Sequence, residues 1–249
     1  RVAVGWLVYR LTDSAFLLGL VGFAGQIPTF LLAPLAGVMA DRMDRMKLLI
    51  AAQVLSMIQA FLLAFFVLAD IINIYEIIGL SIFLGLVNAF EITCRQSLVV
   101  DMIDKKEDLS NAIALNSSIF NGARLIGPTI AGIMIATVGE GICFLINGLS
   151  FGAVIFSLTA MKLKLNPRKK QNSNMLHGLK EGFAYSFGFP PIRSILLIVA
   201  VVNFFGIPYV TLLPVFARDV LGGGPNTFGF LMGAFGMGAL INALSLAFR

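Results

Sequence analysis

Arg124 is the side chain in this sequence that most needs a reason to be where it is. It falls about midway through Ala112–Val138, a stretch with no other ionisable residue. A guanidinium placed at that depth in hydrocarbon costs at least ~2.5–3.5 kcal/mol, so it must face a bundle interior or a water-filled cavity. Ser117, Asn121, Arg124 and Pro128 follow at i, i+4, i+7 and i+11, which is one stripe of a helix. Guanidinium stays charged and offers a planar fork of donors that suits the paired oxygens of a carboxylate or catecholate. The chemistry to expect is therefore recognition of an anionic ligand or of a coupling carboxylate. A satisfied structural arginine is the competing reading.

Two further polar sets stand out. Ser81, Asn88, Glu91 and Arg95 share roughly one helical face, and Glu91 and Arg95, four apart, can neutralise each other. That pair reads equally as structure or as a gating or coupling element. The other set is the knot Gly37-Val-Met-Ala-Asp41-Arg42-Met-Asp44-Arg45-Met-Lys47, wedged between Ala15–Ala36 and Leu48–Ala69, neither of which holds an ionisable side chain. Each run is about 22 residues, roughly 33 Å as a helix, which matches a bilayer core. The knot is expected to be a tight loop between two spans. Gly37 and Ala40 would let those spans pack closely, and Asp41 could pair with the cations around it. A plain topogenic cluster is the other reading, although an acid adds nothing to orientation.

The elements that must carry these residues follow from composition. Of 249 residues, 58% are hydrophobic and 12% charged, with a mean hydropathy of +0.92. That is about half the charge of an ordinary soluble domain. The outside of the molecule must be apolar as well as its core, which implies an all-α polytopic membrane protein in the lipid bilayer. The net charge of +5 is carried by loops between spans, so nucleic acid is not an expected partner. Cys94 and Cys143 make neither a disulfide framework nor a metal site, and His177 reads as a surface residue. No P-loop, zinc spacing or Ser/His/Asp set is present, so no ATP hydrolysis, enzymatic chemistry or cofactor is expected.

Along the chain, Val2–Tyr9 reads as the end of a truncated first span, and Ala15–Ala36 and Leu48–Ala69 as spans 2 and 3. A turn around Asp70–Glu76 leads to span 4, Ile77–Thr93, with Glu91 and Arg95 at its end. A wet loop, Asp101–Asp108, precedes span 5 (Ala112–Val138), and Gly139-Glu140-Gly141 turns into span 6 (Ile142–Met161). These make an N-terminal transmembrane half, residues 1–161. Residues 162–194 are a basic linker with an interfacial amphipathic helix over Met175–Phe189. Residues 195–249 begin a C-terminal half. Its span 7, Ile195–Phe216, should bend at Pro208 and Pro214. A turn through Arg218-Asp219 and Gly222–Pro225 then opens span 8, Phe228–Phe248. The pairs Gly148/Gly152 and Gly229/Gly233 have helix-packing spacing.

With the knot on the cytoplasmic side, Arg42, Arg45, Lys47, Arg95, Lys105, Lys106, Lys162, Lys164, Arg168, Lys169, Lys170 and Lys180 fall inside. Only Arg10 and Arg218 fall outside, which satisfies the positive-inside rule. Six spans, a basic linker and further spans is the layout of the major facilitator superfamily, and the knot resembles its Gly-x-x-x-Asp-Arg-x-x-Arg signature at Gly37, Asp41, Arg42 and Arg45, with Lys47 as an extra cation. Asp44 stands where many members have Gly. The chain is similar to the branch of transmembrane secretion effectors and enterobactin-type siderophore exporters, also in Asn111–Asn116, Ala123–Pro128, Asn147–Phe151 and Leu213–Arg218. Gly122, Gly127, Pro128 and Gly132 resemble the glycine-proline motif of the superfamily's antiporters, displaced by a residue on each side; kinking and close packing explain them equally.

The resemblance implies a knot that acts as a conformational latch and a secondary active transporter of the cell membrane. Such a protein exports a small molecule (a siderophore, drug or similar metabolite) by proton antiport through rocking of two six-helix halves. Family members have twelve spans, so the resemblance implies a fragment lacking spans 9 to 12 of a protein that is a monomer when complete. An importer or facilitator is the alternative within transport, and a membrane sensor or scaffold the alternative outside it. Arg124 favours transport, since a scaffold has little reason to keep a costly charge.

Overall fold

The computed structural model describes residues 2–101, 109–161, 184–206 and 208–247. Every element among them is helical. They are α1 (Val2–Thr12), α2 (Ala15–Arg42), α3 (Arg45–Leu68), α4 (Ile74–Asp101) and α5 (Leu109–Ala160). After these come α6 (Pro190–Gly206), α7 (Pro208–Val215), a π-helical turn (Phe216–Val220) and α8 (Pro225–Ala247). Five stretches are long and apolar enough to cross a membrane: Ala15–Ala40, Arg45–Leu68, Ile74–Leu98, Leu115–Ala160 and Pro190–Val220. Large apolar side chains on them face outward, Phe204 and Phe205 at 74% and 75% exposure among them. Water does not tolerate such a surface, and lipid does.

Several boundaries differ from those read in the sequence, mostly in one direction: the helices run on. The knot is not a loop as a whole. Helix α2 continues to Arg42, and only Met43 and Asp44 separate it from α3. Asp44 makes that sharp junction possible, because its carboxylate accepts from the Met46 and Lys47 N–H groups at 3.0 and 3.3 Å and caps α3. Glu91 and Arg95 lie well inside α4, which reaches Asp101, not at its end. The turn before α4 is shorter than Asp70–Glu76. Asn73 Oδ1 accepts from the Tyr75 N–H while Glu76 Oε2 accepts from the Asn73 N–H, a reciprocal cap that starts the helix at Ile74. Arg218 and Asp219 sit in the π-helical turn that follows Pro214 rather than in an open turn. The wet loop lies outside the described residues from 102 to 108. So do the basic linker and most of the interfacial segment, whose described tail, 184–188, is helical.

Gly139 is the one non-helical residue within α5. Its φ of 82° lies in the left-handed region that favours glycine, and it folds a 52-residue helix into two antiparallel spans. That point defines one end of the bundle, the Gly139 end; the knot defines the other. The main buried cluster sits at the Gly139 end and joins Trp6, Leu7, Val8 and Tyr9 of α1 to Ala217 of the π-turn and Phe228 of α8. Trp6 and Phe228 stack with ring centroids 6.2 Å apart. At the knot end a smaller cluster holds Ala40, Leu49, Cys94 and Leu98, all from α2–α4. Between α3 and α4 the buried Gln59 amide donates to the Leu80 carbonyl at 3.4 Å. Such a bond relieves a polar group that lipid could not satisfy.

Candidate functional site

The polar faces anticipated on spans 4 and 5 meet in space. Helix α4 contributes Glu91, Arg95 and Gln96. The first arm of α5 contributes Asn116, Ser117, Phe120, Asn121 and Arg124. Arg95 Nε donates to Glu91 Oε1 at 2.9 Å, the i, i+4 pair expected from the spacing. Arg95, Gln96, Asn116, Ser117, Phe120 and Asn121 line a cavity of about 260 Å³. Two guanidinium groups approach the ring of Phe120: Arg124 is 4.6 Å from its centroid and Arg95 is 5.9 Å. Each is within the range at which an aromatic face attracts a cation.

The two arginines differ in their remaining capacity. Arg95 is neutralised by Glu91 through its Nε–H, and its Nη groups have further N–H groups to donate. Arg124 has no carboxylate partner among the described residues; its described contact is Phe120. Among the described residues the site thus carries one guanidinium paired with a carboxylate and one without such a pair, beside three amides, a hydroxyl and an aromatic ring. That set can hold an anion by charge-assisted hydrogen bonds while a flat apolar part rests on the ring. It offers no nucleophile–base pair. No group of His, Cys, Asp and Glu that could hold a metal ion occurs among the described residues.

The other expected positions divide. Ser117, Asn121 and Arg95 line the cavity, Glu91 pairs with one of its walls, and Arg124 stands beside it over Phe120 rather than in its lining. Asn88 is half-buried on α4 and is not part of the lining. Farther along α5, Pro128 and Gly132 meet α8. A Cβ on Gly132 would lie 2.6 Å from the Pro225 carbonyl oxygen and 2.8 Å from Gly229 Cα, and one on Gly236 would lie 2.7 Å from the Arg124 carbonyl oxygen. The two helices therefore touch backbone to backbone from Gly132 to Arg124. At Gly122, Gly127 and Gly37 a Cβ would meet nothing within 4 Å.

In the knot, Arg45 is buried and its Nε donates to the Ala40 carbonyl oxygen at 2.9 Å, capping the end of α2. Lys47 Nζ is 3.9 Å from Asp44 Oδ2, a loose and exposed pair. The side chains of Asp41 and Arg42 lie outside the described set.

Sequence reasoning passed over Phe120 and Gln96 and did not single out Asn116. A signal for two of them existed: Asn116, Phe120 and Arg124 are spaced by four, so one helical face carries amide, ring and guanidinium. The approach of Arg95 to Phe120 is tertiary and leaves no mark in local spacing.

Comparison with known proteins agrees with this architecture. The profile described as transmembrane secretion effector matches residues 1–249. The chain is 28% identical over 247 residues to a staphyloferrin A transporter of Staphylococcus aureus (strain NCTC 8325 / PS 47), covering 99% of this chain and 62% of the relative. It is 24% identical over 254 residues to the multidrug efflux pump Tap of Mycolicibacterium fortuitum, covering 99% and 62%. A macrolide efflux protein A of Streptococcus pyogenes matches at 23% over 250 residues, covering 99% and 61%. The chain thus spans about three fifths of the length of these relatives, whose names describe transport and efflux rather than catalysis. The apolar helices, the knot between α2 and α3 and the match across all 249 residues lead to one assignment: the chain belongs to the transmembrane secretion effector family of the major facilitator superfamily, whose members are multi-pass proteins of the cell membrane.

Proposed function

We propose that the protein carrying this chain is a secondary active exporter of a small molecule, driven by proton antiport and working by alternating access, with the knot end in the cytoplasm. In this reading residues 1–161 form the first six-helix half, 162–194 the cytoplasmic linker, and 195–249 the start of the second half. The observation that carries the proposal is the pair of guanidinium groups that both approach Phe120, beside a polar cavity that opens on the face of an apolar bundle. A charge kept at that depth is expensive, and a passage for an anionic or amphipathic solute gives it a use. Names such as staphyloferrin A transporter, Tap and macrolide efflux protein A support export and point to siderophores and drugs as the first candidates. Glu91, held by Arg95, is the carboxylate that adjoins the cavity among the described residues, and in this reading it exchanges a proton as substrate comes and goes. The knot, through Asp41, Arg42, Arg45 and Lys47, would latch the cytoplasmic side when that side is closed.

The test is cellular accumulation of a panel of siderophores and drugs, with the full-length protein expressed in a host lacking its own exporters. Parental protein should lower the accumulation of at least one compound. Arg124→Lys, which keeps charge but loses the planar fork, should weaken that effect, and Arg124→Ala should abolish it with membrane insertion intact. An Arg124→Ala protein that inserts normally and exports at the parental rate would remove Arg124 from the site.

A further inference from the structure

At the opposite end of the bundle from the knot, a second set of polar and charged side chains crosses between the end of α1 and the π-helical turn. We propose that the last turn of α1 and the π-helical turn at Phe216–Val220 form a latch, Asp13 and Tyr9 against Arg218 and Asp219, that holds the Gly139 end shut and must part for that end to open. This rests on the alternating-access reading above.

Arg218 Nη1 donates to the Asp13 carboxylate, and the Tyr9 hydroxyl donates to the Asp219 carboxylate. The Arg218 guanidinium also lies 5.7 Å from the Tyr9 ring centroid. The partners are 205 and 210 residues apart in sequence, so both bonds tie the first span of one half to the first span of the other. The intervening Arg10 is used differently. Its Nε donates to Glu140 Oε1 at 2.8 Å, beside the Gly139 fold of α5, and so anchors the end of α1 within its own half. Tyr9 and Asp13 reach across from that fixed base. Asp13 follows the helix with a φ of 47°, a left-handed turn that ends α1 beside the π-turn. Insertion of a π-turn in a helix is often found where a function needs a side chain re-aimed.

Beneath the latch the Trp6–Phe228 stack and the buried Ala217 close the same end with apolar contacts. The buried cluster described at the knot end draws on α2–α4, with Leu158 of α5 packed against it. The contacts of α1 with the π-turn and α8 join the two halves at this end, as α5 and α8 join them farther along, and in a rocking cycle this end opens only if they part. An ion pair as exposed as Asp13–Arg218 is individually weak. A gate that opens once per cycle needs bonds of that kind, able to bias the equilibrium without freezing it. The Tyr9–Asp219 bond is the more sheltered of the two, since Tyr9 is 4% exposed.

The test reads opening directly and does not depend on substrate, coupling or orientation. In full-length protein with Cys94→Ala and Cys143→Ala, a reporter Ala217→Cys is placed at a position that is 0% exposed. Its reaction rate with a maleimide is measured in lipid nanodiscs. Tyr9→Phe combined with Asp13→Asn should raise that rate about five-fold or more, the lower range of ordinary coupling between states. Asp13→Arg alone and Arg218→Asp alone should each raise it, and the two together should return it towards the parental value. An unchanged rate in the neutralised protein, or single exchanges that the double exchange does not repair, would overturn the latch. Faster labelling in a protein that moves no compound would leave the latch standing and count against the exporter instead.

Discussion

Gly132→Ala is a one-carbon change whose effect can be worked out from the packing of α5 on α8. The added Cβ would lie 2.6 Å from the Pro225 carbonyl oxygen and 2.8 Å from Gly229 Cα, where ordinary contact begins near 3.4 Å. Both obstacles are backbone, so no side chain can rotate away, and the helices must part by roughly 0.8 Å at that point. Overpacking of this kind costs about 1–3 kcal/mol. Alanine returns up to ~1 kcal/mol through its better helix propensity, so the net loss is smaller. Gly122→Ala supplies the comparison, because its Cβ would meet nothing within 4 Å and only the propensity gain applies. Thermal unfolding of the purified full-length protein in detergent should place Gly132→Ala below Gly122→Ala by a few degrees, the shift expected of about 1–3 kcal/mol. A Gly132→Ala protein that melts with or above Gly122→Ala would refute the backbone contact between α5 and α8.

Phe120→Leu keeps bulk but removes the ring that Arg95 and Arg124 both approach. It should weaken substrate binding by about two- to thirty-fold, from ~0.5–2 kcal/mol of cation–π attraction, measured as the apparent affinity for transport. Asp41→Asn should leave insertion intact while cutting transport, and near-normal export by a well-expressed variant would reduce the knot to a topology signal. Cys143 should label more readily than the buried Cys94 with an impermeant thiol reagent in intact cells. Burial alone could produce that order, so single cysteines replacing the exposed Asp70 and Lys47 give the sharper test of orientation. The first should label from outside and the second only after permeabilisation. The opposite pattern would reverse the topology.

What the sequence makes legible here is hydropathy, and hydropathy reports where lipid ends rather than where a helix ends. Ala15–Ala36 is the apolar part of α2, but the backbone remains helical to Arg42, because the interfacial charges are hydrated on a helix as readily as off it. The same reason carries α4 to Asp101, past Glu91 and Arg95. Local caps were present in the letters: Asp44 ahead of Arg45, and Asn73 with Glu76 three residues on. At the site, one helical face could be read from i, i+4 and i+7 spacing, and the Glu91–Arg95 pair from its interval of four. The approach of Arg95 to Phe120, and of Tyr9 and Asp13 to Asp219 and Arg218, depends on which helices become neighbours. Arg10 and Arg218 could be counted as outer-face cations, but the spacing of neither named its acidic partner.

The central claim, export by exchange for a proton at the site around Phe120, is tested most directly in proteoliposomes of the full-length protein with an imposed pH gradient. For a compound identified in the cellular screen, an acidic lumen on the side facing the Gly139 end should drive the compound in while protons leave. Collapsing the gradient with a protonophore should stop both fluxes, and Arg124→Ala should abolish them. Compound flux that persists unchanged without the gradient, or that carries protons in the same direction as the compound, would contradict the account.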